Sequence, residues 1–172
     1  MWPWGQKSRD EYQFICPLCD QSAPRRKAEL LYGHKVCRRC SASFTNRRAG
    51  AWIADRALFI GLGVLCLAAL TPVDPTAGQA AFMVVGWAAF PFRDGFRGRS
   101  PGKALFGLHV VSEGDGQAID WVRSLGRHFI FFVPFTTIIA AFQISQGKRI
   151  GDGLANTRVV WSRHASSRVF TR

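Results

Sequence analysis

Acidic residues are scarce in this chain. Eleven Asp and Glu stand against 23 Lys and Arg, a formal charge of +12 over 172 residues. Such a balance points to nucleic acid or to an anionic membrane surface as partner. The first twelve residues also lack the apolar stretch of a secretory signal, so the N-terminal part is expected to be cytoplasmic and reduced. A phosphate-binding loop is missing too. Gly98 and Gly102 are separated by three residues and Lys103 is followed by Ala104, where such a loop requires four residues and a Ser or Thr. No Ser-His-Asp arrangement or carboxylate pair stands out, and catalysis is not expected. Glu113, Asp115 and Asp120 read as solvated, and His109 and His128 as interfacial hydrogen-bonding groups. What is abundant is apolar: 48% of residues are hydrophobic, with 14 Phe and six Trp. Disorder and a soluble basic DNA-binding domain are both excluded, because charge and apolar character are segregated along the chain.

Charge and cysteine share the first 48 residues. Cys16 and Cys19 form one C-x2-C pair, Cys37 and Cys40 a second, with seventeen residues between them. That spacing is expected of a structural zinc site, in which four thiolates fill a tetrahedral shell and leave no open position for chemistry. A head of about forty residues buries too little core to fold alone, and a metal supplies the missing stability. The expected cofactor is therefore structural Zn2+. His34 stands close enough in sequence to substitute as a ligand, but reads better as a neighbour of the site. Arg25, Arg26, Lys27, Lys35, Arg38 and Arg39 surround the four sulfurs and favour their ionised form. The pattern resembles a treble-clef or zinc-ribbon knuckle followed by a helix, which occurs in nucleic-acid fingers and in protein interaction modules alike.

After Arg48 the composition changes abruptly. Residues 49–71 form an apolar run of about 34 Å as a helix, enough to cross a bilayer core of about 30 Å. A turn with Pro72 and Pro75 ends it, and residues 76–92 make a second, shorter candidate span. Ten Lys/Arg precede the hairpin, none lies in the connection at 72–79, and Arg93, Arg97, Arg99 and Lys103 follow it. The positive-inside rule then places the head and the post-hairpin segment in the cytoplasm. Arg99 and Lys103 are candidates for meeting lipid phosphates. A third apolar run at 128–144 carries Pro134 and is read as broken or re-entrant, because strands on either side of it are expected to pair. Those strands are Leu105–Val111 with residues 117–119 as a hairpin, extended by Thr157–Trp161. The fold class is thus a mainly α-helical integral membrane protein: a transmembrane hairpin, a broken third segment, a small cytoplasmic sheet and a zinc-binding head. The expected organisation is a head at 1–46, a membrane domain at 47–161 and a basic tail at 162–172.

Asp55 and Arg56 lie about two turns inside the first apolar run, where an ionisable group costs about 2.5–3.5 kcal/mol unless it faces protein or water. Arg48 and Asp55 are seven residues apart, on nearly one helix face and about 10 Å apart along the axis, so another group is needed to bridge them. Asp55 reads either as an ion or proton site or as a structural pair with an arginine from elsewhere.

Three motifs in order carry a resemblance: Arg48-x6-Asp55; Gly98-x-Ser100-x-Gly102-Lys103-x3-Gly107-x2-Val110-Val111; and Gly151-Asp152-x3-Asn156-Thr157-x-Val159-Val160. Over about residues 47–161 the chain resembles the RDD family of prokaryotic membrane proteins, named for one arginine and two aspartates that fall on Arg48, Asp55 and Asp152. The cysteine head is an addition to that common core. The resemblance implies a place in a prokaryotic inner or plasma membrane, homo-oligomers, and transport of an ion or small solute, with sodium/proton exchange reported for some members. On that reading Asp55 is the protonatable site, Arg48 its partner, and Asp152 a gate or anchor. Two other readings stand beside it: a membrane-anchored zinc module that recruits a protein partner and, least favoured, a membrane-tethered nucleic-acid binder.

Overall fold

The structure is a computed structural model that describes residues 13–95, 97–129 and 150–171. Two short hairpins open the described chain. In the first, β1 (Gln13–Ile15) pairs antiparallel with β2 (Ser22–Pro24). Between them the Cys16 carbonyl accepts from Asp20 N at 2.9 Å, and Asp20 takes φ +55° to make the tight turn. In the second, β3 (Ala28–Leu31) pairs with β4 (His34–Cys37) through the two-residue loop Tyr32-Gly33, both at positive φ. That geometry matches the right-handed twist of the flanking strands.

From β4 the chain enters α1 (Arg38–Leu70), 33 residues without a break and about 50 Å long. Its covered face reads Cys40, Phe44, Arg48, Ala51, Asp55, Phe59 and Gly63, steps of three and four that keep one side of a helix in register. The opposite side is exposed. Of its most apolar 18 residues only 11% are buried by the rest of the chain, which is unlike the core helix of a globular domain. The link between head and apolar run is thus a continuous helix through Arg47 and Arg48.

Asp74 caps α2 (Pro75–Met83) by accepting from Thr76 N at 2.8 Å and Ala77 N at 3.3 Å, and Pro75 sits at the first helical position. α2 returns along α1, with Gly78 against Leu67 and Thr71, and Gly63 against Phe82 and Gly86. The second apolar run is not one α-helix. It widens into a π turn at Val84–Ala88 and tightens into a 3-10 turn at Phe90–Gly95, where Pro91 has no N–H for the ladder. Ser100 caps the short α3 (Pro101–Leu105).

β5 (Leu108–Ser112) pairs antiparallel with β6 (Thr157–Trp161), Val110 opposite Val159. The expected hairpin to residues 117–119 shrinks to one bridge, Val111 to Ala118, and the distant stretch is the true partner. α4 (Trp121–Phe129) and α5 (Ile150–Leu154) flank the third apolar run, which from residue 130 to 149 lies outside the described residues. Its flanks touch each other: Arg127 Nη2 is 2.5 Å from Asp152 Oδ1.

The head and tail are built into one core with these strands. Leu31, Val36 and Phe44 pack with Leu108, Val110, Val159, Val169 and Phe170. Phe170 lies 5.5 Å from the Phe44 ring and 6.0 Å from Tyr32. The Tyr32 hydroxyl donates to Val159 O at 3.0 Å and accepts from Val159 N at 3.2 Å, occupying the outer edge of β6.

Candidate functional site

Two polar clusters hang on the one covered face of α1. At its head end the Sγ atoms of Cys16, Cys19, Cys37 and Cys40 lie within 4.8 Å of one another. Cys19 Sγ and Cys37 Sγ are 3.8 Å apart, about the edge of a tetrahedron whose metal–sulfur bonds are ~2.3 Å. The Cys37 N–H donates to Cys16 Sγ at 3.3 Å. Burial pushes the Cys40 thiol well above its ordinary range, and the sulfurs of Cys37, Cys19 and Cys16 push the same way. Burial works against Cys16 as well, yet the N–H groups of Cys37 and Leu18 bring it down. The chemistry of the donor set fits a metal ion, and the four cysteines are positioned to hold one.

Two to four turns further along α1 is a second cluster, of charges. Asp55, at 0% exposure, accepts from Ser100 Oγ at 2.5 Å and from Gly102 N at 2.6 Å. Gly102 is required here, since a Cβ would overlap the Ala51 carbonyl and come within 2.8 Å of Asp55 Oδ1. Arg93 Nε faces Asp55 Oδ2 at 3.5 Å and Asp94 Oδ1 at 3.9 Å. Asp94, also fully buried, binds Lys103 Nζ and accepts from Arg127 Nη1 at 3.1 Å. Arg127 then reaches Asp152 through Nε at 3.1 Å and Nη2 at 2.5 Å. Asp152 accepts in turn from Arg48 Nη2 at 2.9 Å. The bridge that Arg48 and Asp55 need is therefore a chain of four side chains, Asp152, Arg127, Asp94 and Arg93.

Local sequence explains how each arrives. The Arg93-Asp94 pair follows the apolar return strand of the hairpin, where Pro91 tightens the chain. Its position is held by Ser124 Oγ, which donates to Pro91 O at 2.7 Å and accepts from Asp94 N at 3.2 Å. Ser124, Arg127 and His128 are spaced three and four apart, so α4 offers one polar face. Burial alone would raise Asp94, but Lys103, Arg127 and Arg93 more than offset it and hold the carboxyl far below the ordinary range.

Arg48, Asp55 and Asp152, which the sequence singled out, lie in one cluster and are joined through intermediaries. The sequence reading missed Arg93, Asp94 and Arg127. Lys103 is corrected: expected to meet lipid phosphates, it is 7% exposed and bound to Asp94. A cation beside a fully buried carboxylate has no reason to face lipid. Arg99 remains exposed. His109 donates or accepts at Ser162 Oγ, 2.9 Å away, and His128 Nδ1 lies 2.8 Å from Ser124 O.

The RDD family model matches residues 42–156, two-thirds of the chain, and covers the whole charge cluster. The chain belongs to the RDD family. The four clustered cysteines all precede residue 42, so they lie outside the part that defines the family. Among curated proteins and among solved structures, nothing matches the chain. The RDD region accordingly runs from the upper turns of α1 to the start of the β6 strand.

Proposed function

We propose that this RDD protein is an integral membrane transporter of an ion or small solute, acting as a homo-oligomer, with the buried charge cluster as its coupling site. The supporting observation is the cluster itself. Four basic and three acidic side chains, all buried, sit at the foot of a hairpin whose outer surface is apolar. Charges at such a place face protein or water and mark ion pathways in membrane proteins. Trp52, Ile53, Leu58, Leu62, Leu65 and Trp87 are exposed and suit a bilayer. The positive charge flanking the hairpin supports a cytoplasmic head; the inner or plasma membrane of a prokaryote is what the family resemblance implies. Two helices line little of a pathway, hence the oligomer. Zn2+ in the four-cysteine site braces the head and, through α1, the cluster beneath it.

The test is flux in proteoliposomes under sodium, potassium and proton gradients, wild type beside Asp55→Asn at matched insertion. Flux in the wild type and at least a tenfold loss in the variant are expected. No flux from well-inserted wild type under any of these gradients overturns the reading. A second reading, a membrane-anchored zinc module for a protein partner, draws on the exposed Ile15 and Leu30 of the head. It requires capture of a partner that is lost in Cys37→Ser and Cys40→Ser but retained in Asp55→Asn.

A further inference from the structure

We infer that Lys103 is the proton-exchanging group of the buried cluster: among the described residues the site holds one more positive charge than its three carboxylates balance, and Lys103 is the member that can give it up. The inventory is drawn from every element packed there. α1 contributes Arg48 and Asp55, the 3-10 turn Arg93 and Asp94, α3 Lys103, α4 Arg127 and His128, and α5 Asp152. Four cations face three carboxylates. The three arginines do not release protons in proteins. Each carboxylate is met by at least two donors: Ser100 and Gly102 on Asp55, Lys103 and Arg127 on Asp94, Arg127 and Arg48 on Asp152. A second proton on His128, whose Nε2 is 3.9 Å from Asp94 Oδ2, would raise the excess from one charge to two.

Among the described residues of the cluster, Lys103 alone combines burial with a single acceptor. Its ammonium has three N–H donors and one partner, the Asp94 Oδ2 that Arg127 also uses. Loss of a proton breaks one N–H bond, leaves the electron pair on Nζ and passes the proton to water. The neutral amine still donates to Asp94, so the hydrogen bond survives and the cluster becomes electrically balanced. Burial lowers Lys103 to about 7, Asp94 pulling it back up while Arg127 and Arg93 press it down. Protonation near neutral pH would then switch the cluster between balanced and singly positive, which is the property a proton-coupled carrier needs. The inference deepens the transport reading, yet it is read on the lysine itself and survives a failure of that reading.

The experiment is a pH titration by NMR of the full chain in nanodiscs, with 13C,15N-lysine, from pH 5 to 11. Loss of one signal in Lys103→Arg assigns Lys103. Its Cε shift is expected to titrate near pH 7, against about 10.4 for an ordinary lysine. A midpoint at or above 10 overturns the inference. In Asp94→Asn the midpoint is expected to fall further, because the one anion that favours the ammonium is gone. An unmoved midpoint in that variant overturns the assignment to the Lys103–Asp94 pair. Flux enters neither readout.

Discussion

The two clusters on α1 solve opposite problems. The cysteine head gathers like groups, four sulfurs within 4.8 Å, in an arrangement that a cation supplied from outside would complete. The charge cluster gathers both signs and neutralises itself to within one charge, so it needs no added ion to exist. The head's four cysteines come from one hairpin turn, the end of β4 and the start of α1, within 25 residues of chain. The cluster's members come from five elements spread over residues 48–152. A local device can be completed by a metal. A dispersed one has to be completed by the fold. Because Cys40, Phe44, Arg48 and Asp55 share one helix face, the two are mechanically continuous.

Chelation probes that continuity most severely. Removing the metal is expected to unfold β1 to β4, since structural zinc supplies about 10–16 kcal/mol in small domains. Hydrogen exchange should rise there by orders of magnitude, and also at Val159, whose outer edge loses Tyr32. Exchange confined to residues 13–37 would show the clusters to be independent.

Next in size is Arg127→Met. It leaves Asp94 and Asp152 short of a buried partner, and breaking such a pair costs about 3–5 kcal/mol. A lower unfolding midpoint in detergent, with metal content unchanged by elemental analysis, would place the effect in the cluster alone. Gly102→Ala should cost about 1–3 kcal/mol by forcing α3 off α1. Scanning calorimetry, with Gly61→Ala as a control that meets nothing within 4 Å, checks it.

Acidity distinguishes the clusters too. The folded-state value of Asp94 lies below its ordinary 3.8, so its contribution is whole above that pH and is lost as pH falls through and beneath it. Lys103 works the other way in the alkaline range. Its folded-state value of about 7 lies below the ordinary 10.5, so the unfolded chain binds more protons between those limits and stability rises with pH there. Unfolding midpoints from pH 3 to 10 should show both trends, the second absent in Lys103→Met. The smallest effect belongs to the exposed Arg38–Glu29 pair at 3.9 Å. Arg38→Ala should leave stability within measurement error, as solvated pairs usually do.

How much of this was legible depends on how far apart the partners sit in the chain. The cysteine quartet was readable because both pairs are local and their spacing encodes the geometry. Arg48 and Asp55 were readable as a pair in need of a bridge, since a seven-residue step repeats a helix face. The bridge was not, because Arg127 lies 33 residues from Asp94 and 25 from Asp152. The one available signal was the polar face of Ser124, Arg127 and His128 beside an apolar run. Lys103 was misread for the same reason: a lysine after a glycine-rich turn looks exposed until its carboxylate is known. The second apolar run was read as a plain helix, although Gly86 and Pro91 already marked the widened and tightened turns.

By itself, then, the sequence determined the four-cysteine cluster, the long apolar helix and the proline turn that ends it, all products of short-range spacing and hydrophobic pattern. Tertiary structure decided that residues 117–119 give β5 only one bridge, the burial of the tail against Tyr32 and Phe44, and the identity of every link between Arg48 and Asp55. The physical reason is that a buried charge is specified by its counter-charge, and here each counter-charge reaches it through the fold rather than along the chain.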